Sequence, residues 1–208
     1  MDEMTALFAK GLVIGLSIAA PVGPIGVLCI NRSLNHGMLA GLATGMGAAV
    51  ADGLYGAVAA FGIASVSVLL IDHQDLIRLA GGGILLALGV RTFRAPLREA
   101  AAPIGAAGLL GAFASCVLLT LANPATILSF IAIFAGLGLA EQAGGYRGAW
   151  VMVLGVFLGS ALWWLGLSSA VGRLGARVGP ALRRWINRIS GGVLAAFGLA
   201  AVATIFWL

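Results

Sequence analysis

The feature that most constrains this chain is the spacing of its charges. Twelve basic and seven acidic residues are spread over 208 positions, and stretches 11–31, 33–51, 53–71, 100–140, 148–172 and 189–208 carry none. A hydrocarbon layer roughly 30 Å thick is crossed by about 20 apolar residues in a helix. It admits only structures that satisfy their backbone groups internally. The chain is therefore expected to be an all-α integral membrane protein lying in a lipid bilayer. Composition agrees: 61% of residues are hydrophobic and 9% charged, where soluble domains carry about 25% charge. A sequence pI near 10.2 fits arginines anchoring cytoplasmic loops better than a nucleic-acid partner.

Six spans are expected. The first runs to Ile30 and ends where Asn31 and Arg32 open a turn through Gly37. The second runs from Met38 to Ile71, the third between Arg78 and Arg91, and the fourth from Ile104 to Ala140. The fifth ends near Arg173, and a basic link leads into the sixth, ending at Leu208. Leu12 to Ala20 has the look of a leader, but acidic residues precede it and apolar sequence continues beyond it, so a retained span is expected.

The halves resemble each other. Gly82 to Gly89 aligns without gaps to Gly191 to Gly198, and each half opens with a span interrupted by proline, Pro21-Val22-Gly23-Pro24 in one and Asn123-Pro124 in the other. Three spans per half invert the second half relative to the first. The expectation is a single membrane domain, 1–208, built from two inverted three-helix repeats (about 5–95 and 104–208) with helices 1 and 4 broken. Paired broken helices in inverted repeats mark transporter binding sites. Glycines four residues apart, such as Gly11/Gly15 and Gly155/Gly159, allow close helix approach and could also join two copies as a homodimer.

Proline inside a helix frees backbone groups that lipid cannot satisfy. Pro21, Gly23 and Pro24 form one candidate lining for a translocation site, and Asn123 and Pro124 the other. Thr120, Asn123 and Thr126 recur every three residues and would give that helix a polar face. Asp52 stands alone deep in an apolar run, where an acid is functional by default. It could hold a substrate ammonium group or exchange a coupling proton. Tyr55, three residues on, shares its face. His36 and His73 lie in loops with no partners at metal-like spacing, so no metal site is expected, and no cofactor or enzymatic motif stands out. Transport would then draw on an ion gradient or be facilitated.

These residues resemble the LysE-type amino-acid exporters. Ala20 to Val27, the glycines 37, 41, 45 and 47, Asp52 with Tyr55, and Leu121-Ala122-Asn123-Pro124 carry the resemblance, which covers essentially the whole chain. It implies a multi-pass protein of the bacterial inner membrane that exports amino acids at the expense of the proton-motive force. Ala125 stands where family members often have Lys or His, and Ser129 where some basic-amino-acid exporters have Asp. With one membrane acid, a neutral substrate fits better than a dicationic one.

Two other functions are compatible with parts of the pattern. A membrane thiol–disulfide electron carrier could use Cys29 and Cys116, although these are not symmetry mates and membrane thiols are usually apolar filler. Heavy-metal cation efflux would need softer and closer ligands. Nine basic residues lie on the side of the links after spans one, three and five, against three on the other, which puts both termini and the turn around His73 outside. Were the short third run not to cross, the N-terminus would be inside.

Overall fold

The computed structural model describes residues 3–21, 23–61, 72–95, 104–123, 126, 129–130, 132–133, 145–175 and 178–207. Among these the chain is entirely helical: α1 (Glu3–Ala19), α2 (Pro24–His36), α3 (Met38–Ala60), α4 (Gln74–Phe93), α5 (Ala106–Leu121), α6 (Tyr146–Gly175) and α7 (Pro180–Trp207). Four of them, α3, α4, α6 and α7, are long and apolar enough to cross a membrane, and α1 with α2 would form a fifth span bent by 78°. The third run, short by its uncharged residues, is a helix of 20 residues because Gln74 to Arg78 and Arg91 join it. At about 1.5 Å per residue that is the thickness of the hydrocarbon layer.

The first break falls where expected. Pro24 occupies the first turn of α2, where its missing N–H costs nothing. The end of the first span does not. Asn31 and Arg32 were expected to open a turn, yet α2 continues to His36. The polar side chains are absorbed: Asn31 and Asn35 both donate to Asn187 Oδ1 on α7 (2.9 and 2.7 Å). The reversal comes at Gly37, whose φ of 87° is disfavoured for any residue with a Cβ. Lys10 lies within α1 and is exposed, where its stem can carry the charge outward.

The glycines join helices within the chain. Gly11 faces the Met152 backbone and Gly15 that of Val156, while Gly155 and Gly159 face Phe8 and Leu12. The constant offset makes α1 and α6 parallel neighbours. These two glycine pairs are thus used within the chain. Likewise Gly47 meets Phe113 and Tyr55 meets Leu121, so α3 and α5 run parallel. Gly45 meets Trp164 and Gly53 meets Phe157, so α3 and α6 are antiparallel. Helices α4 and α7 form a pair of their own: Gly82 packs on the Gly198 carbonyl and Gly89 on that of Gly191, and the reverse also holds. At each of these glycines except Gly53, a side chain would meet a neighbour too closely and force the helices apart.

One arginine of the expected basic link is buried. Arg183, 3% exposed, donates to the carbonyls of Leu34, Gly175 and Val178. It takes up orphan carbonyls at the ends of α2 and α6, which a helix otherwise leaves unpaired.

Candidate functional site

The two breaks face each other across a small cavity of about 70 Å³. Pro21, Gly23 and Pro24 line it from the first break, and Thr120, Asn123 and Thr126 from the second. Asp52 reaches it from α3 and Trp164 from α6. Seven of the nine residues singled out in the sequence therefore meet at one place. Pro124 lies outside the described residues. Tyr55 does not line the cavity. Its hydroxyl donates to the Leu121 carbonyl at 2.5 Å, one of the acceptors released where α5 ends. Tyr55 thus holds the second break to α3 instead of facing the cavity.

Thr120, Asn123 and Thr126 do not share a continuous helix face, because α5 stops at Leu121. They converge across its end. The Asn123 amide donates to Thr126 Oγ1 (3.0 Å), and Thr126 N–H donates to the Asn123 carbonyl (3.1 Å), which closes a turn around the break.

Asp52 is 3% exposed. Ser160 Oγ donates to its Oδ2 at 2.6 Å, and Trp164 Nε1 in turn donates to Ser160 Oγ at 3.1 Å. Ser160 and Trp164, four residues apart on α6, present the two donors on one helix face. Neither was singled out from the sequence. A serine inside a long apolar interval with a tryptophan one turn later was the available signal, but serine in Gly-rich membrane helices is too common to stand out. Among the described residues Asp52 makes no ion pair, and a buried carboxylate held only by a neutral donor retains capacity for a cation or proton.

The small cavity shares Pro21, Gly23, Pro24, Asn123 and Thr126 with a wider one of about 570 Å³ that opens past Arg78 on α4 and Thr204 on α7. A third cavity, about 830 Å³, lies at the other ends of α4 and α7, beside Arg32, Arg91 and Asn187. Apolar side chains separate the two large cavities, among them Leu28 and Leu119 of the core, with Leu85 and Leu88 packed against it. Cys29 and Cys116 are fully buried in that same core. No group of three His, Cys, Asp or Glu able to hold a metal ion occurs among the described residues.

Helices long and apolar enough to cross a membrane, two breaks lined by polar groups, and cavities at both ends divided by an apolar layer fit a membrane transporter. The LysE type translocator model matches residues 16–204, and the chain belongs to that family. It is 28% identical over 197 residues to a Bacillus subtilis (strain 168) protein named "Putative amino acid efflux protein YcgF", covering 92% of this chain and 93% of that one. It is 30% identical over 212 residues to the Escherichia coli (strain K12) "Uncharacterized membrane protein YahN", covering 97% and 93%. No solved structure matches.

Proposed function

We propose that this protein exports amino acids across the bacterial cytoplasmic membrane, driven by the proton-motive force, and that the cavity between the breaks is its central binding site. The observation that carries the reading is the meeting of Asp52 with both helix breaks. The aspartate offers a carboxylate to a substrate ammonium group or to a proton. The breaks offer backbone groups and the hydroxyls of Thr120 and Thr126. The name of the Bacillus subtilis relative points to the same cargo.

The architecture proposed is six spans in two inverted repeats forming a single membrane domain. Helices α1 and α2 make the first span, α3 and α4 the next two, and α5 belongs to the fourth. Two observations support it. Parallel packing of α3 with α5, and of α1 with α6, requires one crossing between α3 and α5, which α4 supplies. The Gly82–Gly198 and Gly89–Gly191 contacts join each glycine to the repeat mate of the other, as a two-fold axis would. The Arg91 end is then cytoplasmic and the N-terminus external.

Cells fed dipeptides, with and without the protein, test the function. Selective release of one or a few amino acids is the expected result, and equal release of all of them with and without the protein would refute export. A carrier using Cys29 and Cys116 is disfavoured by their enclosure in the core, which keeps both thiols from an external thiol or disulfide.

A further inference from the structure

The cavity of about 830 Å³ at the Arg91 end has a chemistry of its own. Arg32 projects from the middle of α2, half-buried. Its guanidinium donates to Thr44 Oγ1 (3.1 Å), the Ala112 carbonyl (3.0 Å) and Ser115 Oγ (3.0 Å). Guanidinium carries five N–H groups, so these neutral acceptors occupy three of them. No acid answers the charge: among the described residues lining the cavity there are the cations Arg32, Arg91 and Arg94 and the amides Asn31, Asn35 and Asn187, but neither Asp nor Glu. The start of α5 adds to the field. Gly108 and Gly111 line the same cavity, and this helix has no side-chain cap at its N-terminal end. Its first N–H groups favour an anion.

Buried charges are normally paired, and a cavity with three cations invites a group that brings the counter-charge. We infer that this cavity binds a carboxylate, with Arg32 as the forked donor and Arg91 and Arg94 at its mouth. On the export reading above, on which this rests, that group is the substrate's α-carboxylate as it enters from the cytoplasm. The site is a separate stop from Asp52. Thr44, which holds Arg32, lies eight residues before Asp52 on α3, roughly 12 Å along the axis, far more than the two charges of one amino acid can bridge. A zwitterion satisfies the arginines with its carboxylate first and Asp52 with its ammonium group afterwards. A dicationic amino acid is repelled at the first stop, so the cargo is neutral or acidic.

The test uses the purified full chain and its heat unfolding in the presence of a mixture of neutral amino acids, the same mixture as amides, or inorganic phosphate, in zwitterionic lipid with or without phosphatidylglycerol. The acids should protect and the amides should not. Arg32→Gln should raise the half-protecting concentration by about tenfold or more, as expected for losing charge-assisted bonds. The Arg91→Gln/Arg94→Gln pair, exposed and outside the packing, should raise it less and guards against a folding defect in the first variant. Equal protection by amides, unchanged half-protection in both variants, or no protection by either mixture would overturn the inference. Protection by phosphate or phosphatidylglycerol alone would overturn it in favour of a phosphate or headgroup site. Arginine-dependent protection in a chain whose cells export nothing would leave the carboxylate site standing and remove the export reading instead.

Discussion

The two ends of the molecule handle charge in opposite ways. At the Arg78 end a carboxylate, Asp52, sits at the floor of the cavity with a serine donating to it. Arg78, at the rim, is paired with Asp75 of its own helix at 3.7 Å. At the Arg91 end a guanidinium, Arg32, is held by two hydroxyls and a carbonyl. Each buried charge is kept by neutral groups, and the two are not spent on each other. Direct pairing would have neutralised both within the low-dielectric interior and left nothing for a zwitterion to displace. On the proposed reading, the separation keeps two complementary half-sites available on opposite sides of an apolar layer.

That comparison can be broken most severely at Asp52. Asp52→Asn preserves shape and the ability to accept from Ser160 but removes the charge. Active export should fall by on the order of 100-fold or more, while the protein remains folded in the membrane. Normal export by well-expressed variant protein would remove the carboxylate from the mechanism. A smaller effect is expected from Ser160→Ala, which leaves the charge and deletes its donor. Hydrogen bonds to charged groups are worth about 1.5–3 kcal/mol, so export should weaken by about tenfold at least. Half-saturation measured for export should show whether binding or turnover bears the loss. The smallest effect belongs to the core between the ends. A Cys29→Ser/Cys116→Ser protein should export within about twofold of the parent, since the thiols serve as filler. In that background a cysteine placed at position 73 should react with an impermeant reagent added outside cells. Reaction from the cytoplasmic side alone would reverse the two ends.

Much of the candidate site was legible because lipid makes polarity conspicuous. Asp52 announces itself by isolation, and Pro24 and Asn123 by interrupting apolar runs, so their residues could be named before any contact was known. Tyr55 shows the limit. Its helical register with Asp52 was readable, but Leu121, whose carbonyl it bonds, is 66 positions away. In the sequence Arg32 marks the edge of a loop, because charge normally ends a span. Only Thr44, Ala112 and Ser115, brought from α3 and α5, make it tolerable inside a helix.

The residue order alone settled that the chain lives in a membrane, where its first span is broken, and which acid is buried. Those properties depend on local polarity and on the hydrogen bonds each segment can make for itself, and lipid penalises every exception. Which helices touch, and therefore who satisfies whom, was decided only by the tertiary structure. Glycine ladders occur on α1, α3, α4, α6 and α7 alike, and close packing between small residues is equally favourable for many pairings. The selection of α1 against α6 and α4 against α7 comes from the joint fit of all the helices. That fit delivers Ser160 to Asp52, and three neutral acceptors to Arg32.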